Sequence, residues 1–298
     1  MSRMVLFTAR DRMLAGLSAT KRSLDVAGVT TCVWEAGDGP PILLLHGGIE
    51  CGGAMWAPAA RRLARQHRVV VPDIPGLGES APLPRLDVAA FDAWLEELSR
   101  HMRLEQPVIV AHSLIGSLTA SVAARRTLAA QHLVIYAAPG VGPYRMPGRL
   151  RYLAVRFAIR PTPGNAERFD RFALYDLDAA RRHDPEWFDA FVAYTIGQAK
   201  VPHVKRTMRH LVASQTRRIN DADLARVSVP TTLLWGRHDR MVPISVAHHA
   251  ATRHGWPLHI VEDAAHAPHI ERPEAFCAEL TAIMAQHGPD RQTDRPAR

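Results

Sequence analysis

Short β-rich runs separated by helical patterns constrain this chain more than any other feature. Pro41–Leu45 reads Pro-Ile-Leu-Leu-Leu and is apolar on both faces, as a strand buried on both sides must be. Thr30–Glu35, Arg68–Pro72 with its three valines, Pro107–Ala111, His132–Tyr136, Thr231–Trp235 and Leu258–Val261 read as further strands. Helical patterns lie between them. In Val88–Met102, for example, Phe91, Leu95, Leu98 and Met102 recur at spacings of three and four. Alternating strands and helices predict an α/β fold whose mostly parallel sheet carries helices on both faces.

The alternation stops after Ala138. From Pro139 to about Asp223 the pattern is helical throughout. Arg149–Arg160 places Leu150, Leu153 and Phe157 on one stripe and Arg149, Arg156 and Arg160 on another. Glu186–Lys200 carries Trp187, Phe188, Phe191, Val192, Tyr194 and Ile196. The expected organisation is one α/β core, residues 1–138 and 224–298, interrupted by a helical insertion at 139–223. The insertion also holds the charge. Between Arg145 and Arg218 fifteen basic residues accompany seven acidic ones, so the whole formal excess of +8 lies there. Such a surface can steer an anionic substrate or touch anionic lipid, although solvated helix faces alone also explain it.

Composition excludes several classes. With 298 residues, 47% of them hydrophobic and 22% charged, the chain can build a large core and is not disordered. No apolar run approaches the roughly 20 residues that cross a bilayer. The first ten residues make a poor secretory signal, and three scattered cysteines (Cys32, Cys51, Cys277) do not form a disulfide framework. A cytoplasmic location is therefore expected. Nucleic-acid binding is not expected, because no zinc-finger, RNP-like or helix-turn-helix pattern is present. The 16 histidines include no His-Glu-x-x-His, and the cysteines no Cys-x-x-Cys. His266 and His269 are separated by Pro268, and the adjacent His248 and His249 point apart on a helix. Neither a metal site nor a cofactor is expected, and no phosphate-binding or dinucleotide loop appears.

The chemistry concentrates at strand ends. The strand Val108–Ala111 runs through His112 into Ser113, and a helix-compatible run, Leu114 to Ala124, follows. A serine at such a turn projects its hydroxyl above the sheet edge, next to a helix N-terminus that favours developing negative charge. Crowding there favours small residues two before and two after the serine. The first is Ala111. The second is Ile115, with glycine only at Gly116, a departure expected to tilt the helix or narrow the pocket. Asp239 follows the strand Thr231–Trp235, and His266 follows Leu258–Val261. Parallel strands end at one edge, so Ser113, Asp239 and His266 can converge as nucleophile, orienting acid and base. After Pro41–Leu45 come His46, Gly47 and Gly48, where glycines let a backbone N–H approach a substrate oxygen. The N–H groups of Gly48 and Leu114 are the expected oxyanion hole, at about 3–4 kcal/mol per donor. Ile49, Ile115, Trp187, Phe191 and Met241 are the candidate substrate contacts. The turn Asp73–Ser80 reads as mainly structural, and His112 as a packing residue.

Five motifs carry a resemblance: Leu45-His46-Gly47-Gly48; Asp73-Ile74-Pro75-Gly76-Leu77-Gly78-Glu79-Ser80; Ala111-His112-Ser113-Leu114-Ile115-Gly116; Trp235-Gly236-Arg237-His238-Asp239; and His266-Ala267-Pro268-His269-Ile270-Glu271-Arg272-Pro273. In order and spacing, over roughly residues 25 to 285, the chain resembles serine-nucleophile members of the α/β-hydrolase fold family with a helical cap, the esterases and lipases. That resemblance implies an eight-stranded sheet and a lid inserted after the sixth strand. Relatives that open epoxides or remove halides carry aspartate where Ser113 stands, so acyl chemistry is favoured. The expectation is a cofactor-free hydrolase of a small-molecule carboxylic ester or thioester, working through an acyl-enzyme. Two alternatives stay open. Carbon–carbon bond hydrolases of ring-fission products resemble this chain at Trp235–Arg240, though not at the loop Gly48–Gly53. A small-molecule receptor on the same fold is the other.

Overall fold

The structure, a computed structural model, describes residues 9–48 and 52–286. Its centre is an eight-stranded sheet of β1 (Ala19–Val26), β2 (Val29–Ala36), β3 (Pro41–Leu45), β4 (Arg68–Pro72), β5 (Val108–His112), β6 (His132–Tyr136), β7 (Thr231–Gly236) and β8 (Leu258–Val261), in the order β1-β2-β4-β3-β5-β6-β7-β8. β2 runs antiparallel to both β1 and β4, and every other pairing is parallel. The fold is that of the α/β hydrolases, as the motifs imply. Every residue of β5, β6 and β7 is buried, because both faces of the sheet are covered.

The edge strand β1 was not legible in the sequence. It reads Ala-Thr-Lys-Arg-Ser-Leu-Asp-Val and is mostly exposed, so it has no apolar run. It is held by a tight hairpin to β2, in which Ala27 and Gly28 both take positive φ, the geometry that matches strand twist.

Helices α1 (Ala57–Leu63), α2 (Val88–His101), α3 (Ser113–Ala123), α10 (Ser245–His254), α11 (Pro268–Glu271) and α12 (Pro273–Gln286) belong to the sheet. The chain first crosses from β3 to β4, then reverses and runs from β5 through β8. Right-handed crossovers put α1 on one face and α2, α3 and α10 on the other. α12 packs against α1 and closes the first face. The reversal places the ends of β3 and β5 beside one another, at the crevice where open α/β sheets bind ligands. Between β6 and β7 come α4 (Gly148–Ile159), α5 (Pro163–Ala173), α6 (Leu177–His183), α7 (Pro185–Gln198), α8 (Pro202–Gln215) and the short α9 (Asp221–Leu224).

Candidate active site

β5 delivers Ser113 to that crevice. Ser113 has φ +54°, the left-handed region that costs a non-glycine residue about 1–3 kcal/mol and persists only where the surroundings over-determine it. They do so here: β5 is hydrogen-bonded between β3 and β6, and α3 is buried along nearly its whole length. The close approach that the turn demands falls on Gly116. A Cβ there would lie 2.6 Å from the Ala111 carbonyl oxygen and 2.9 Å from the Ala138 Cβ. Ile115 is wholly buried in the core and does not border the site, so it neither narrows the pocket nor contacts its contents, contrary to the sequence expectation.

Three side chains form one hydrogen-bonded row. His266 Nε2 lies 3.0 Å from Ser113 Oγ, and His266 Nδ1 lies 2.8 Å from Asp239 Oδ2. Asp239 Oδ1 accepts the N–H groups of Met241 at 2.8 Å and Val242 at 2.9 Å, which leaves Oδ2 aimed at the imidazole. The loops bearing Asp239 and His266 are joined by backbone bonds from Arg237 to Val261 and from His238 to Ala264. Gly236 makes that approach possible, because a Cβ there would sit 1.9 Å from the Ala265 carbonyl oxygen.

Two buried residues hold the backbone around His266. His112 Nε2–H donates to the His266 carbonyl oxygen at 3.0 Å, and its ring stacks on Tyr136. Burial, reinforced by neighbouring His266 and His269, keeps the His112 pKa far below the usual imidazole range, so it is a neutral strut. Glu271 accepts the N–H groups of Ala265, Ala267 and Tyr175, at 2.9, 3.2 and 2.5 Å. It thus clamps both neighbours of His266 and ties them to the helical insertion. Burial pushes Glu271 up to about 7 although the three donors favour its charged form. The sequence reading gave Glu271 no role of its own; its place three residues past the Pro268 turn was the available signal.

On the other wall, the His46 ring donates through Nδ1 to the Gly47 carbonyl oxygen at 2.6 Å and accepts the Ile74 N–H at Nε2. Burial lowers its pKa, in keeping with a neutral ring that accepts at one nitrogen. Gly48 is thereby held against α3, where a Cβ on it would lie 3.1 Å from Leu114 Cδ1 and 3.0 Å from the Met208 side chain. Leu114 sits in the first turn of α3, where helical N–H groups have no partner within the helix.

Above Ser113 and His266 opens a cavity of about 650 Å³ with a largely apolar lining. One wall is α4 and the other α8. Met241 borders it, and Leu114 forms part of its floor. Phe191 borders only a small adjoining cavity of about 30 Å³. Trp187 reaches neither, because it is stacked on Phe191 at 5.3 Å inside the packed helices, which corrects its expected role. Ile49 and Cys51 lie outside the described residues. The sequence reading missed Met208, Lys205 and Arg209 of α8 and Tyr144, all of which line the cavity. The i, i+4, i+8 spacing of Val204, Met208 and Val212 was the signal for a second wall.

The alpha/beta hydrolase family matches the chain over residues 42–279. The chain belongs to that family. This hydrolase is 27% identical over 269 residues to a pimeloyl-(acyl-carrier protein) methyl ester esterase of Vibrio vulnificus, covering 85% of this chain and 98% of that one. Among solved structures it resembles naproxen esterase from Bacillus subtilis, with a TM-score of 0.78 at 18% identity, covering 95% of this chain and 98% of that one. It also resembles 2-hydroxy-6-oxo-6-phenylhexa-2,4-dienoate hydrolase from a Rhodococcus species, with a TM-score of 0.76 at 22% identity over 90% of this chain and 98% of that one. At those identities the two structures speak for the fold alone. Among the described residues, no helix is long and apolar enough to cross a membrane.

Proposed function

We propose that this hydrolase cleaves carboxylic esters or thioesters through an acyl-enzyme on Ser113. The observation that carries the reading is the unbroken row from Asp239 through His266 to Ser113, with both links within 3.0 Å. Ser113 Oγ attacks the carbonyl carbon while His266 Nε2 takes its proton. Asp239 holds the ring in the tautomer with hydrogen on Nδ1 and stabilises the imidazolium that forms. The carbonyl oxygen becomes an oxyanion held by the N–H groups of Gly48 and Leu114. His266 then passes the proton to the departing alcohol or thiol. Water, deprotonated by the same ring, releases the acid and restores Ser113. The chain's own groups suffice for every step.

The helical insertion acts as a cap whose apolar cavity takes the acyl part, and this favours substrates with a hydrophobic acyl group. The esterase named among the relatives supports ester over carbon–carbon chemistry. Replacing Ser113 by Ala is expected to lower turnover of p-nitrophenyl esters by about three orders of magnitude or more and to abolish labelling by an active-site phosphonate, with the melting temperature kept. Labelling and turnover that survive the substitution would overturn the assignment. Labelling without turnover on any ester, thioester or vinylogous diketo acid would favour a receptor.

A further inference from the structure

Four large hydrophobic side chains are exposed among the described residues, and three of them lie on α4. Tyr152 is 59%, Val155 51% and Ile159 77% accessible. At spacings of three and four they share one helix face. The opposite face is spent on the cap, where Leu150, Leu153 and Phe157 are buried. α4 is therefore apolar on two sides, and nothing in the chain covers the outer one.

Charge accompanies that face. Arg149, Arg151 and Arg160 are exposed on or at the end of α4, and Lys205, Arg206 and Arg209 stand on α8 across the cavity. Among the described residues, none of these six cations pairs with a carboxylate. The acidic groups of the region are engaged elsewhere: Glu167 and Asp178 with Arg171, and Asp221 with Arg218. The cavity opens between these elements. Val155 and Ile159 line it together with Arg151, Lys205 and Arg209, and its floor is Ser113 and His266. An exposed apolar helix face, an unneutralised basic rim and the mouth of an apolar cavity thus coincide.

We propose that this face seats on an anionic phospholipid surface. Tyr152, Val155 and Ile159 enter the boundary between headgroups and acyl chains, and the cations meet lipid phosphates. The cavity mouth then faces the lipid, so an acyl ester passes from the interface to Ser113 without exposing its chain to water. The lipid docking stands on the surface alone, and only this delivery rests on the ester-hydrolase reading. A protein partner fits less well, because apolar and guanidinium groups here frame a cavity large enough for an acyl chain.

The test uses the full chain carrying Ser113→Ala, so that no lipid is consumed. It is sedimented with vesicles of phosphatidylcholine alone or with about one third phosphatidylglycerol. The bound fraction is expected to be at least about tenfold higher on the anionic vesicles and to fall severalfold as salt is raised from about 0.05 to 0.5 M. Ile159→Ser combined with Tyr152→Ser, and separately Arg149→Ser with Arg160→Ser, should each cut binding about fivefold or more. The melting temperature should hold, because all four side chains are exposed. Equal binding to both vesicle types, no binding to either, or unchanged binding by both double variants overturns the proposal. So does a wild-type chain that self-associates in solution through the same residues and releases vesicles when it does. Phosphonate labelling of the wild type is scored in parallel. Its loss counts against Ser113 as nucleophile and leaves the vesicle result standing.

Discussion

At the scale of single residues, the groups that react are few and the groups that hold them are many. Glu271 is the sharpest case. Its carboxyl is buried, receives three backbone N–H groups and sits near Asp239, and burial prevails, so its proton leaves near pH 7 instead of 4.5. The folded chain thus holds this proton more tightly than the unfolded chain. Its contribution to stability is complete below about pH 4.5 and is lost as pH rises to about 7. Glu271→Gln, which keeps an acceptor oxygen but cannot ionise, is expected to flatten the fall of melting temperature over that window. Melting curves of both proteins from pH 4 to 8 check this. Gly116 makes a second case: Gly116→Ala would press a methyl group to 2.6 Å from the Ala111 carbonyl oxygen. The elbow must shift to accommodate it, so kcat on a short ester should fall at least about tenfold, measured beside the melting temperature.

At the scale of elements, the site is a property of where strands stop. β5, β7 and β8 each release the chain at the same sheet edge, and the loops that follow carry Ser113, Asp239 and His266. The loops after β7 and β8 function as a pair, bonded through backbone groups and in contact at Gly236. Gly236→Ala would force the Ala265 carbonyl away and carry His266 with it. The expected outcome is a loss of turnover comparable to that of His266→Ala, with far-ultraviolet circular dichroism unchanged. A variant with wild-type kcat would show that the two loops move independently. α4 and α8 illustrate what sequence periodicity can and cannot reach. The buried stripe Leu150, Leu153 and Phe157 was legible on one helix alone. That Val155 of one helix and Met208 of another face the same cavity depends on how the two helices cross.

At the scale of the whole molecule, one buried ion pair ties the N-terminal segment to the sheet. Arg10 and Asp73 are both inaccessible and bonded to each other, and Asp73 also accepts the N–H groups of Gly53 and Glu79. Burial alone would raise the Asp73 pKa, but Arg10, His46 and the backbone donors outweigh it and hold the carboxyl below its ordinary 3.8. A lowered pKa contributes stability that is present above about pH 4 and is lost as pH falls through the folded value. Acid unfolding should therefore start below pH 4. Asp73→Ala leaves the Arg10 cation buried without its partner and is expected to cost about 3–5 kcal/mol in denaturant unfolding at neutral pH. A cost under about 1 kcal/mol would mean that Arg10 escapes to water when its partner is removed.

What the residues determine alone is whatever depends on short range. Apolar runs with no polar alternation, as in Pro41–Leu45, specify strands buried on both faces, and their alternation with helices specifies a covered parallel sheet. Strand ends followed by Ser113, Asp239 and His266 then point to one edge, because parallel strands share it. What only the tertiary structure decided is whatever depends on distant groups meeting. The polar strand β1 exists because β2 offers it a hairpin partner. The crowding of the elbow falls on Gly116 because Ala138 of another segment packs there. Trp187 lies outside the cavity because Phe191 stacks on it first. Glu271 became a clamp because folding set three N–H groups from two parts of the chain around one carboxylate, a convergence that no local pattern encodes.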